Sequence, residues 1–225
     1  MRKRVVIKLS GSVFGENASR QSLLKYAKML KSLSKRMQLV VVAGGGHIAR
    51  YYIKLGRDLG IDEASLDELG IEVSRLNAQV LSYALGKAAY SHIPKNLHEV
   101  VVAVESGKIV VTGGLHPGQS TNATSAQIAE KIGASMFINA TDVDGIYTAD
   151  PNKYKNAKLL RTINVQDLRG MLAHESAQAG AYDLMDLVAL KVIERSKLHT
   201  RVVKSEPDVI KRAAEGSSIG TLILI

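Results

Sequence analysis

Short β-branched runs alternate with helical patterns along the whole chain. "RVVIKLS" (4–10) predicts a first strand, and apolar residues recur at helical spacing in "QSLLKYAKMLKSLSKRM" after it. "QLVVVAGGG" predicts a second strand that stops at three glycines, followed by another helical stretch. A long helical pattern then runs from about Leu66 to Tyr90. "HEVVVAVESGKIVVTGG" (98–114) predicts two strands around a Ser-Gly turn. "NATSAQIAEKIGA" predicts a helix with Asn122 as N-cap and Gly133 near its end. "SMFINATDVDGIY" predicts a strand running into an acidic turn. Helices are predicted over 164–175 and 182–197, followed by "HTRVVK", "DVIKRAAEG" and a last strand in "GTLILI". This alternation implies an α/β fold with a mostly parallel sheet covered on both faces. Only four prolines occur and no Gly/Ser/Pro linker separates two halves, so residues 1–225 read as one unit.

Composition sharpens the picture in a few places. Apolar residues make up 46% and charged residues 23%, which is globular rather than disordered. No apolar stretch approaches the ~20 residues of a membrane span. "MRKRVVIKLSG" lacks the long apolar region and cleavage site of a secretory signal. There is no cysteine, which excludes disulfides and thiolate metal sites and fits a cytoplasmic protein. The 30 basic and 21 acidic residues give a net charge of +9. Aromatics are only 4%, without a basic-aromatic module, so the charge is assigned to phosphate handling rather than to a nucleic-acid partner.

In open α/β sheets ligands gather beyond the carboxyl ends of the strands. Four such ends here are rich in glycine, hydroxyl and charge: "KLSGS" (8–12), "AGGGHIAR", "TGGLHPGQST" and "ATDVDG". Gly44–Gly46 match neither common nucleotide loop. They serve either as a tight turn needing positive φ or as bare amides aimed at an anion at a helix N-terminus. Lys8, inside a strand, either faces solvent or reaches that cavity as a point charge for phosphate. Arg50, about one helical turn past the glycines, is either a surface arginine or folds back over the cavity. Ser120 and Thr121 in "HPGQST" form a plain loop with an N-cap or a second anion site. His116 reads as a loop residue rather than a base, and Asp142 and Asp144 as turn formers or functional carboxylates. Together these residue types suit phosphoryl transfer, where positioning and charge neutralisation do most of the work. No Ser-His-Asp spacing, zinc pattern or paired glutamates argues for hydrolysis.

"KLSGS", "VVVAGGGHIAR", "LDELGIEVSRLNAQ", "GGLHPGQSTNATSAQIAEKIGA", "INATDVDGIYTADP" and "GTLI" occur in this order. In that order the chain resembles the amino acid kinase superfamily, and most of all its archaeal uridylate (UMP) kinase branch. The resemblance implies a three-layer αβα sandwich with a mostly parallel central sheet of roughly eight strands. It implies one domain, acceptor-binding in its N-terminal part and ATP-binding in its C-terminal part. It also implies ATP-dependent phosphorylation of UMP to UDP, with Mg²⁺ carried mainly by the nucleotide, and a homohexamer built from dimers.

By that resemblance Lys8 would stabilise the migrating phosphoryl group, and Asp142 would order the catalytic charges. Gly11, Ser12, Gly46 and Arg50 would serve the ATP phosphates, and Thr141, Tyr147 and Asp150 the adenosine side. Gly45 would face UMP and Asp67 its ribose. Leu115, His116, Pro117, Gly118, Gln119, Ser120 and Thr121 would hold the UMP phosphate and help enclose uracil. Leu115, Gln119 and Asn122 depart from the usual loop, and Asp186 stands near the place where sister enzymes carry a second lysine. The alternatives are a superfamily kinase acting on acetylglutamate, carbamate or isopentenyl phosphate, or a non-catalytic nucleotide-binding or storage protein.

Overall fold

The computed structural model describes residues 2–175 and 185–225. The chain runs through β1 (Lys3–Leu9), α1 (Arg20–Ser34), β2 (Met37–Ala43), α2 (Gly46–Asp58), α3 (Glu63–Leu85) and α4 (Leu97–Glu105). It continues through β3 (Val110–Thr112), α5 (Thr121–Lys131), β4 (Met136–Thr141), β5 (Thr162–Asn164) and α6 (Val165–Glu175). It ends with α7 (Leu187–Arg195), β6 (Thr200–Lys204), α8 (Pro207–Ala214) and β7 (Thr221–Leu224).

The described strands form a 7-stranded sheet in the order β3-β2-β1-β4-β6-β7-β5. All pairings are parallel except β6–β7. Seven strands are therefore seen where the resemblance implies roughly eight. The chain winds outward from β1 through β2 to β3, then returns to β4 on the other side of β1. The switch point thus lies between β1 and β4, where Lys8 pairs in register with Val42 on one side and Asn139 on the other.

Strand alternation builds the two cores that make this a three-layer sandwich. Val6, Val40 and Val42 face one cluster with α4, α5 and α7. Val5, Ile7, Leu39 and Val41 face the other with α1, α3 and α8. The central strands are buried on both faces, which is why they read as unbroken apolar runs rather than alternating ones.

Several elements differ from the sequence-based expectation. The first half of 98–114 is the helix α4, not a strand. Its Val100, Ala103 and Val104 are buried at helical spacing while Val102 is 52% exposed. Asn96 caps the helix by accepting the Glu99 amide at 2.9 Å, and Glu99 accepts from the Lys95 amide and the Asn96 carboxamide in return. Capping and packing outweigh the strand preference of the valines. The N-cap of α5 is Ser120, which accepts the Asn122 and Ala123 amides, while Asn122 lies buried inside the helix. Gly133 does end that helix, at φ +61. The pattern from Leu66 to Tyr90 begins earlier and ends as a helix at Leu85. The expected helix over 182–197 appears as α7 from Leu187, and 182–184 lie outside the described residues. The strand β5, three residues long, gave too short a pattern to be read.

Candidate active site

The loops after β1 and β2 touch backbone to backbone. A Cβ on Gly11 would come within 2.0 Å of the Gly46 nitrogen, and one on Gly46 within 2.6 Å of the Gly11 carbonyl carbon. Gly46 also has φ +66, the left-handed region. A Cβ on Gly44 would lie 2.8 Å from the Gly11 nitrogen, and the Gly44 amide donates to the Leu9 carbonyl at 3.0 Å. Gly45 is the N-cap of α2 and supplies no side-chain cap, which leaves the first helical amides without a side-chain acceptor. Gly44 and Gly46 are thus required first by the chain itself, since the two loops could not otherwise meet, while a Cβ on Gly45 would lie 2.5 Å from the Ala49 Cβ of α2.

Where they meet, a cavity of ≈ 420 Å³ opens at the carboxyl edge of the sheet. Lys8, Gly11, Ser12, Gly45, Gly46 and Arg50 all line it, so the lysine and the glycine triplet share one hollow. Ser120 and Thr121 enter from the N-terminus of α5, and Thr141 and Asp142 from the end of β4. Ser12 donates its hydroxyl proton to Asp142 Oδ1 at 2.5 Å, tying the loop after β1 to the loop after β4. Ser120 donates to Asp186 Oδ2, and Asp186 caps α7 through its other oxygen by accepting the Ala189 amide at 2.8 Å. The starts of α5 and α7 are coupled in this way.

A smaller hollow of ≈ 160 Å³ adjoins the first, sharing Gly70 and Thr121 and lined also by Asp67, Ser74, Gly114 and Gln119. Here α3 acts as a spine. Its Asn77 donates to the Gly44 carbonyl at 2.8 Å, and its Ser74 hydroxyl accepts the Gly114 amide at 2.7 Å. Its Asp67 Oδ2 accepts the Gly118 amide at 2.6 Å. One face of one helix therefore fixes the loops after β2 and β3. Leu115 is buried in the apolar core, so only its backbone faces the loop's surroundings. His116, Pro117 and Gly118 are exposed and line neither hollow. Gln119 Oε1 is buried without a hydrogen-bond partner among the described residues.

On the far side Thr141 is buried and donates to the Val143 carbonyl at 3.0 Å. Tyr147 and Asp150 stand outside the cavity wall. Tyr147 donates to Asp144 at 3.2 Å, and burial, followed by the Asp144 charge, raises its pKa. Asp150 Oδ1 accepts the amide of Asn152, which does line the cavity. Sequence reasoning missed Ser10, His47, Asn77, Asn122 and Asn152. A signal existed for Asn77 and Ser74, polar residues on the stripe of α3 that buries Leu66, Ile71, Ala78 and Leu81. Among the described residues no group of three or more His, Cys, Asp or Glu is placed to hold a metal ion. A divalent cation here would therefore need ligands from a bound phosphate chain, with Asp142 bringing the carboxylate of the cavity wall.

Comparison with known proteins agrees with this layout. Residues 3–204 match the model of the amino acid kinase family. The chain is 45% identical over 222 residues to a uridylate kinase of Hyperthermus butylicus, covering 97% of each chain. It is 39% identical to one of Methanobrevibacter smithii, covering 98% of this chain and 99% of the relative. The crystal structure of a uridylate kinase from Archaeoglobus fulgidus superposes with a TM-score of 0.89 at 38% identity, over 99% of this chain and 100% of that one. A UMP kinase from Bacillus anthracis superposes with a TM-score of 0.80 at 27% identity, over 99% of this chain and 96% of that one. With sheet order, glycine cradle and full-length kinship in agreement, the chain belongs to the amino acid kinase family.

Proposed function

We propose that the protein is a UMP kinase that transfers the γ-phosphoryl group of ATP to UMP, giving UDP and ADP. The observation that carries this reading is kinship along the full chain to proteins named uridylate kinase. The two adjoining hollows support it, since they give a donor and an acceptor one common wall at Thr121 and Gly70. In this reading the smaller hollow takes the nucleoside of UMP, with Asp67 on the ribose and residues 115–121 around phosphate and uracil. Gln119 and Thr121 act from its wall, and His116, Pro117 and Gly118 from the exposed loop outside it. Leu115 takes part through its backbone alone. Gly45 faces UMP, while Gly11, Ser12, Gly46 and Arg50 hold the ATP phosphates. Thr141, Tyr147 and Asp150 form the adenosine side. The N-terminal part of the single domain is then the acceptor side and the C-terminal part the donor side, except that Gly11, Ser12, Gly46 and Arg50 reach the ATP phosphates from the N-terminal part.

The chemistry follows from charge. A phosphate monoester has a second pKa of ~6, so the acceptor is already an oxyanion and needs no general base. The barrier is the approach of two polyanions. Lys8 and Arg50 would offset it together with the open amides of α2. Asp142, held by Ser12, would order these charges. Mg²⁺ would travel mainly on the ATP phosphates and spread their charge further.

A homohexamer built from dimers is part of the proposal. Leu69, Leu76, Val80 and Tyr83 form one exposed apolar stripe along α3, which supports self-association. We place the enzyme in the cytoplasm, in pyrimidine nucleotide biosynthesis. A coupled assay of ADP release with UMP, CMP and dUMP tests the assignment. Turnover is expected with UMP first. Turnover with acetylglutamate, carbamate or isopentenyl phosphate but not UMP would overturn it.

A further inference from the structure

Lys204, at the carboxyl end of β6, stands in register with Thr141 of β4, which lines the large cavity. The Ser205 amide closes the turn onto the Thr141 carbonyl at 2.6 Å. Lys204 Nζ lies 2.8 Å from Glu206 Oε1, with the two side chains 43% and 53% exposed. Glu206 occupies the N-cap position of α8 yet makes no cap bond with its side chain. Its carboxylate goes to Lys204 instead. Asp144, the acceptor of the Tyr147 hydroxyl, adds its field to that of Glu206, and together they hold the Lys204 pKa above the usual lysine value. No motif in the sequence assigned Lys204 a task.

We infer that Lys204 is a further donor-binding residue, held in reserve by Glu206 and released to the phosphate chain of the incoming nucleotide. The inference rests on reading this edge as the ATP side. Its physical basis is charge. Asp142, Asp144 and Glu206 put three carboxylates along the edge that a polyanion has to approach. A cation from β6 offsets that repulsion. An exposed ion pair is worth little, so exchanging one carboxylate for a polyphosphate is easy, and the flexible lysine stem can follow the ligand. The Lys204–Glu206 pair is in this sense a latch that the nucleotide opens.

Calorimetric titration of the full chain with ATP, ADP and adenosine tests the latch. Lys204→Met should weaken ATP and ADP about tenfold, the size of a hydrogen bond to a charged group, and leave adenosine unchanged. Glu206→Gln should act in the opposite direction and tighten ATP by up to about fivefold, the worth of an exposed pair. A merely structural pair would weaken binding in both variants. The inference is overturned if Lys204→Met binds ATP like the wild type, if it loses adenosine in equal measure, or if Glu206→Gln weakens ATP. Should Lys204→Met fail to fold, the sign of the Glu206→Gln effect decides alone. Absence of UDP formation by the wild type, with this calorimetric pattern intact, would overturn the acceptor assignment and still support the latch.

Discussion

The loops after β2 and β3 and those after β4 and β6 reach the same hollow, but different forces hold them. On the β2–β3 side α3 supplies Asn77 and Ser74, whose bonds are shielded from water, and Asp67, whose bond is exposed. Asn77 binds the Gly44 carbonyl, Ser74 the Gly114 amide and Asp67 the Gly118 amide. On the β4–β6 side the contacts are exposed and made by carboxylates: Asp142 with Ser12, Asp186 with Ser120, and the ion pairs of Asp150 with Lys153 and Glu206 with Lys204. A shielded hydrogen bond costs about 1–3 kcal/mol if one partner is lost, whereas an exposed ion pair is worth at most about 1 kcal/mol and is screened by salt. The first side is therefore built as a fixed mould, and the second as a set of contacts that a nucleotide can displace.

Lys8 lies where the two sides meet, and breaking it should have the largest effect. Lys8→Ala is expected to lower kcat by about 10²- to 10³-fold, as loss of a transition-state contact does, while the KM for UMP stays within a few-fold. Steady-state kinetics checks this, and unchanged turnover would remove Lys8 from the mechanism. Gly46→Ala attacks the junction itself. It places a side chain at φ +66 and 2.6 Å from Gly11. Urea unfolding should show a loss of about 2 kcal/mol or more.

Asn77→Leu sharpens the comparison by leaving the Gly44 carbonyl without its side-chain donor. A loss of about 1–3 kcal/mol is expected, with the KM for UMP rising more than the KM for ATP. Equal rises would mean that α3 does not specify the acceptor side. Glu130→Gln breaks the exposed pair with Arg195 at the ends of α5 and α7 away from the hollow and should give the smallest effect, below about 1 kcal/mol. Hydrogen bonds from Arg195 and then Ser196 hold the Glu130 carboxyl below its usual pKa. Its contribution is therefore present above the unfolded carboxylate pKa and is lost as pH falls through the lower folded value. Thermal melts of wild type and variant should converge in that acid range and separate slightly at neutral pH.

The parallel sheet was legible because its central strands are unbroken apolar runs separated by helical periods. The segment 98–105 misled because four of the five residues Val100–Val104 are strand-favouring valines with no polar interruption, while the Asn96–Glu99 capping pair that overrides them is a local detail. Gly44–Gly46 marked a close approach, but the pattern could not say that Gly11 is the partner, since that contact joins residues far apart in sequence. Asp142 was legible as a strand-end carboxylate. Its link to Ser12 depends on β1 and β4 becoming neighbours, which the order of elements leaves open. Lys204 and Glu206 looked like ordinary surface charges because nothing in their spacing reveals that β6 ends beside Thr141.

The central claim is that donor and acceptor occupy one continuous space with Lys8 and the glycine cradle between them. The most direct measurement is titration of the protein with a pentaphosphate that joins adenosine to uridine. One molecule per chain should bind, more tightly than either ATP or UMP, and should exclude both. Two molecules per chain, or UMP and ATP binding undisturbed beside it, would contradict the account.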